Sequence, residues 1–217
     1  MPKVCCITWY NKSAHKHADL FFSSNKDYCD KFGYDCFKSN KTYVQDKSDR
    51  WQLLSCLQDL LDSDYEYIVC LDTYISLLGG EDHITINDIV TSVSDSDLIL
   101  GNGPHAGLNI DLGIFIVKNT YRVRRFIEFW INDHDTYKSI QNKNEFAGGP
   151  QEMFMYIYFS DMFSVSSYST ILPYGELFYF AGSEVPRKSL STNASNLQGD
   201  YNKLLYIENY KKINNEH

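Results

Sequence analysis

The chain has 217 residues, enough for one α/β domain with a full core and barely enough for two. Its 20 Lys and Arg stand against 28 Asp and Glu, a formal net charge of −8, and no basic block exceeds a pair. That balance excludes nucleic acid as the expected partner, because neutralising phosphates needs a basic face. It argues equally against docking on an anionic membrane.

Aromatic residues make up 15% of the chain. Flat apolar rings suit sugars and bases, and a biased genome composition gives the same excess. All 6 cysteines lie in the first third. Cys5, Cys6 and Cys70 fall inside apolar runs, where a thiol behaves as a small hydrophobe. With no CxxC and no zinc-type His spacing, reduced thiols and a reducing compartment, the cytoplasm, are expected. No leader-like N-terminal segment and no apolar stretch near 18 residues is present, so no membrane span is expected.

Val4–Trp9 is a nearly unbroken apolar run that reads as a strand buried on both faces. Ala14, Ala18, Phe21, Phe22, Cys29 and Phe32 follow at helical spacing, with Gly33 as a C-cap. Tyr34–Phe37 reads as a second strand, and Trp51, Leu54, Leu57, Leu60 and Leu61 as an amphipathic helix. Tyr67–Leu71 is the clearest central strand and ends on Asp72. Next come a helix over Ile84–Val93, a strand over Asp97–Leu100, a Gly/Pro loop over Gly101–Gly107 and a strand over Leu112–Val117. Val123, Phe126, Ile127, Trp130 and Ile131 mark a further helix, and Glu152–Phe159 another, after Gly148-Gly149-Pro150. Leu177–Phe180 is a late strand. Strand–helix alternation in the first hundred residues predicts a mostly parallel sheet with helices on both sides. Without an internal repeat or linker, residues 1–217 read as a single domain, which a longer protein would also accommodate.

Ligands of open α/β sheets sit beyond the carboxyl ends of the strands. Three segments matter there: Thr8-Trp9-Tyr10, Asp72-Thr73-Tyr74, and Asn109-Ile110-Asp111-Leu112-Gly113. A carboxylate ending a buried strand is held by a rigid element, which suits a metal or ribose contact, although Asp72 serves equally as a turn cap.

Five segments in order resemble the retaining galactosyl-, xylosyl- and mannosyltransferases of the Golgi. Asn25 to Tyr34 looks like their N-x-x-Y-A-x-x-H-G-Y, and Tyr65 to Asp72, after Trp51 and its helix, looks like their W-x-K…Y-x-x-h-x-W-L-D-x-D. Asp111 to Asn119 is similar to N-x-G-x-F-x-h-R-N, Gln151-Glu152 to their E/D-Q helix, and Gly175 to Gly182 to G-D-F-h-H-F-A-G. The resemblance spans about residues 3–190 and implies a GT-A type fold, α/β with a Rossmann-like, mostly parallel central sheet flanked by helices. It implies transfer from a UDP-sugar donor to a glycan or sugar acceptor, with retention. The missing anchor favours a viral or bacterial cytoplasmic relative.

In such enzymes the Asp-x-Asp carboxylates and the His of H-F-A-G grip Mn²⁺ against the donor diphosphate. This chain departs at two of those places, with Tyr74 for the second Asp and Tyr179 for the His. A phenol, with its ordinary pKa of about 10, is a poor ligand near neutral pH. Either Asp72 holds the metal more weakly with water, or cations replace it, Arg187 and Lys188 beyond Gly182 being the candidates. His83 and His105 are further possible ligands. Tyr10 and Trp51 are candidates to stack on uracil, Trp51 being equally in phase with the core, and Arg50 is placed to reach the nucleotide. For the sugar, Asp111 can accept from two hydroxyls, and Gln151 and Glu152 open a helix facing the transferred ring. A catalytically silent nucleotide-sugar binding module is the alternative. A nucleotidyltransferase or a Rossmann dehydrogenase would need a glycine-rich loop after the first strand, and Trp9 to Ser13 has none.

Overall fold

In a computed structural model the chain is described over residues 2–10, 15–41, 51–79, 83–103, 110–133, 149–180 and 190–193, with 135, 136 and 138. Six strands form the main sheet: β1 (Val4–Trp9), β2 (Asp35–Ser39), β3 (Tyr67–Leu71), β5 (Leu98–Asn102), β6 (Ile110–Lys118) and β7 (Ser169–Leu172). Their order is β2-β1-β3-β6-β5-β7. All run parallel except β6, which is antiparallel to both neighbours. The reversal follows from chain length. Only seven residues, 103–109, separate β5 from β6; a parallel crossover needs about a dozen or more, whereas a hairpin needs few.

Side chains alternate across these strands and fill two cores, one on each face. Cys5, Ile7, Ile68, Cys70, Leu98, Leu100, Phe115 and Val117 pack with α2 (Gln52–Leu61), α4 (Tyr121–Asn132) and α5 (Pro150–Phe159). Val4, Cys6, Tyr67, Val69, Leu71, Ile99, Ile114 and Ile116 face residues of α1 (His15–Phe32) and α3 (Ile86–Ser92). All six cysteines are free; burial pushes the Cys5 thiol up to about 12, which makes it a core hydrophobe rather than a nucleophile.

The predicted elements are found, with shifted ends. Gly33 sits at φ 74, and the N–H of Tyr34 bonds the carbonyl of Cys29 at 2.8 Å, a Schellman stop for α1. The N-terminus of α3 carries a capping box between Thr85 and Asp88. Gly149 precedes α5 with Pro150 in its first turn. Gly101 and Asn102, expected in a loop, extend β5.

A second, three-stranded sheet was not anticipated. It has the order β4-β9-β8, from β4 (Ile75–Leu77), β8 (Phe178–Phe180) and β9 (Ser191–Asn193). Its strand β8 matches the late strand expected over Leu177–Phe180, while β4 and β9 are too short for a period-2 signal. Buried Asn25 of α1 fastens β4: its Nδ2 donates to the carbonyl of Ile75 at 2.9 Å, and its Oδ1 accepts the N–H of Leu77 at 2.8 Å. One side chain thereby acts as a strand partner along the β4 edge, and β4 leaves directly from the Asp72–Tyr74 turn.

Candidate active site

Because β6 is reversed, its first residues lie beside the last residues of its parallel neighbours. Asp111 therefore reaches the carboxyl edge of the sheet, level with Gly101 at the end of β5 and close to Asp72 at the end of β3. The N–H of Asp72 donates to the carbonyl of Gly113 at 2.8 Å, and the N–H of Gly113 donates to Asp111 Oδ1 at 2.7 Å. The β5–β6 ladder jumps from Leu100↔Phe115 to Gly101↔Asp111, so residues 112–114 have no partner on β5. Side chains instead serve the N–H groups of that gap. Asp111 takes Gly113, and Gln151 Oε1 stands 3.5 Å from the Leu112 nitrogen, at the long limit of a hydrogen bond. Irregularities of this kind re-aim side chains beside functional sites.

The start of α5 is anchored from a second direction, since Trp130 Nε1 donates to the carbonyl of Pro150 at 3.1 Å. Glu152 follows, half-buried, and its Oε2 is buried with no hydrogen-bond partner. A buried carboxylate oxygen without a donor is costly unless a ligand completes it. Burial also raises the Asp111 carboxyl above its ordinary 3.8, against the lowering effect of the Gly113 hydrogen bond.

Thr8, Trp9 and Tyr10 end β1 on the same edge. Thr73 Oγ1 donates to the carbonyl of Trp9 at 3.0 Å, tying the Asp72 turn to that strand end. Trp9 Nε1 bonds the carbonyl of Lys41 at 2.9 Å. Thr8 and Tyr10 are buried, which leaves little open ring on Tyr10 for a base. Trp51 is a correction to the stacking expectation: its side chain is fully buried in the core with Leu54, Leu57 and Leu61. Asp72 is exposed, and the Tyr74 ring meets Phe21 edge-on with centroids 5.8 Å apart.

Arg50, His105, Asn109, Gly182, Arg187 and Lys188 lie outside the described residues, as does the side chain of Tyr179. The 181–189 segment joins β8 to β9, which pair in parallel. His83 is half-buried ahead of α3. Among the described residues no group of three His, Cys, Asp or Glu side chains could hold a metal ion. The set here, Asp72 followed by two hydroxyl side chains, does not fit a three-point Mn²⁺ grip. The carboxylates of Asp72 and Asp111 and the amide of Gln151 stand together at this edge, a set of hydrogen-bond acceptors and an amide donor. Sequence spacing missed the Gly113 link between Asp72 and Asp111, which depends on β6 running backwards.

No protein-family model matches the sequence, and no curated protein matches it. Solved structures do match the fold. A glycosyltransferase involved in glycosylation of the major capsid of PBCV-1 superposes with a TM-score of 0.72 at 10% identity, covering 97% of this chain and 100% of its own. The galactosyltransferase LgtC, solved with donor and acceptor sugar analogues, gives 0.59 at 6% identity, covering 98% and 95%. With five parallel strands, one reversed strand and helices on both faces, the chain has the α/β fold of these glycosyltransferases, of the GT-A type.

Proposed function

We propose that the chain is a glycosyltransferase that moves a sugar from a UDP-sugar to a glycan or sugar acceptor, with retention at the anomeric carbon, residues 1–217 acting as one domain. The reading is supported by the hydrogen bonds that bring Asp72, Asp111 and Gln151 to the carboxyl edge of the sheet, with Glu152 next to Gln151 in α5, in a chain with the fold of glycosyltransferases.

The Asp72–Tyr74 turn, braced on Trp9 by Thr73, receives the nucleotide. Asp111 and Gln151 accept from hydroxyls of the donor sugar and fix its ring. Glu152, whose Oε2 lacks a donor, stabilises positive charge developing at the anomeric carbon. The bond from that carbon to the phosphate oxygen breaks, the acceptor oxygen bonds to the carbon, and its proton passes to the leaving phosphate. Arg187 and Lys188 are the cations proposed to neutralise that diphosphate, in place of Mn²⁺.

Thermal melting of the purified chain with UDP, with and without Mn²⁺, tests the reading. A ligand held by the native state alone at a hundred times its dissociation constant stabilises by about 2.7 kcal/mol. A rise with UDP alone supports the donor site and its cations, and a rise only with Mn²⁺ supports the donor site and restores the metal. No rise in either condition overturns a uridine-nucleotide donor. Tyr74 and Tyr179, standing where the resembling family has two metal ligands, favour one second reading, a silent nucleotide-sugar binding module. UDP stabilisation without sugar transfer or donor hydrolysis would establish it.

A further inference from the structure

Three thiols from three elements meet on one face of the main sheet. Cys6 of β1 and Cys36 of β2 are direct partners in the parallel ladder, so their side chains leave the sheet on the same side. Cys29 of α1 packs into the core on that side, with Cys6 buried beside it and Cys36 at its margin. The thiols are hydrogen-bonded in a row: Cys36 S–H donates to Cys29, and Cys29 S–H donates to Cys6. The turn after α1 explains the meeting. Gly33 at φ 74 folds the chain back, so that β2 packs against the helix it has just left.

Access separates the three. β2 is the outermost strand of the sheet, and Cys36 is half-buried there, while Cys29 and Cys6 are closed off from solvent. Cys5, Cys56 and Cys70 are buried in the core on the opposite face. A thiol that solvent reaches, backed by a buried thiol in contact with it, is the arrangement of a reacting and a resolving cysteine.

We propose that Cys36 and Cys29 are a redox-responsive pair, in which a peroxide oxidises Cys36 and Cys29 closes an intrachain disulfide between β2 and α1. The Cys36 sulfur takes one oxygen of the peroxide as the O–O bond breaks, leaving a sulfenic acid and one water. The Cys29 sulfur then attacks the Cys36 sulfur. The S–S bond forms, the S–O bond breaks, and the hydroxyl departs with the Cys29 proton as a second water. Two thiols give up two electrons and two hydrogens, and the peroxide accepts both. The hydrogen bond to Cys29, followed by burial, holds the Cys36 thiol above its ordinary value, so the first step is slow and needs sustained oxidant. The second is fast by comparison, because contact makes it intramolecular. In a reducing compartment such a bridge is transient, as redox-sensing disulfides are. It ties down α1 one turn after Asn25, the residue that fastens β4. The chemistry of the pair does not depend on the proposed transfer reaction.

The intact chain is exposed to hydrogen peroxide, unfolded, alkylated with iodoacetamide, digested with trypsin without reduction, and mapped by mass. Cleavage after Lys26, Lys31 and Lys38 puts Cys29 and Cys36 in separate peptides, residues 27–31 and 32–38, each with one cysteine and no methionine. The expected result is these two peptides joined, lighter than their sum by two hydrogens, and released by dithiothreitol. Cys5, Cys6, Cys56 and Cys70 should all be found alkylated. In Cys29→Ala, dimedone should trap a sulfenic acid on Cys36, and in Cys36→Ser no bridge should form. A bridge from Cys36 to Cys6 or between two chains overturns the proposal. So does Cys36 carried on to sulfinic acid with Cys29 still free, or a wild-type chain that keeps all six thiols after prolonged exposure.

Discussion

Asp111 receives the backbone N–H of Gly113, two residues along its own strand, at 2.7 Å. The carboxylate is thereby held over the stretch of β6 that β5 leaves unpaired, and burial raises its pKa above the ordinary 3.8. Below that ordinary value the group is neutral in the folded and the unfolded chain alike. Above it the unfolded chain ionises first, so stability falls with rising pH until the folded value is passed, and the full cost of the buried charge then remains at neutral pH. Asp111→Asn keeps the oxygen for Gly113 and removes the charge. The variant should melt higher than wild type at neutral pH, with the gap closing as the pH falls toward 3.8. Sugar transfer should be lost while UDP still binds, an exchange of stability for function. Full transfer activity in this variant would contradict the role assigned to Asp111.

Glu152→Gln removes the charge of a carboxyl whose Oε2 lacks a donor and keeps its shape. The expected outcome is a fall of about a hundredfold in kcat, the scale of losing one preorganised electrostatic group, with donor KM little changed. Steady-state kinetics separates this from a binding defect, which would raise KM at constant kcat.

Asn25→Ala strips partners from the carbonyl of Ile75 and the N–H of Leu77. Two unmet backbone groups at about 1–3 kcal/mol each put the loss at about 2–6 kcal/mol, read by urea unfolding. Since β4 leaves directly from the Asp72–Tyr74 turn, UDP affinity should fall with it.

Trp51→Ala should cost about 3–5 kcal/mol, as for any large buried ring. At a temperature where the variant remains folded, its UDP affinity should match wild type, which denaturation and titration together can check.

Buried Asp97 lies at the opposite edge of the sheet. Burial pushes its pKa up, but hydrogen bonds from Arg122 and Thr120 win and hold it below the ordinary 3.8. A depressed folded value contributes stability above the ordinary pKa and loses it as the pH falls through the folded one. Arg122 is half-exposed, so Arg122→Ala should cost only about 1–2 kcal/mol at neutral pH. Its acid unfolding should begin at higher pH than that of the wild type.

β1, β3 and β5 of the main sheet were legible because they are buried on both faces and read as continuous apolar runs, as in Tyr67–Leu71, whereas the half-exposed β7 gave no such run and was missed. Helix limits were legible where chemistry marks them, as Gly33 and Pro150 do. Of the small sheet only β8 was read, as Leu177–Phe180; β4 and β9 were not, because three residues carry no period. Nor was the Gly113 link, since it arises from a reversed strand meeting the end of β3, far away in sequence. Trp51 was ambiguous because one helical stripe served core and ligand equally well; burial decides for the core.

The sheet order β4-β9-β8 carries a consequence for synthesis of the protein. Ile75 pairs with Asn193, so the strand that leaves the Asp72 turn waits for a partner made more than a hundred residues later. Contacts that distant form late, after nearer elements have condensed. On the ribosome, the main sheet can assemble before that partner emerges, and the Asp72–Tyr74 turn is among the last parts to be locked in place.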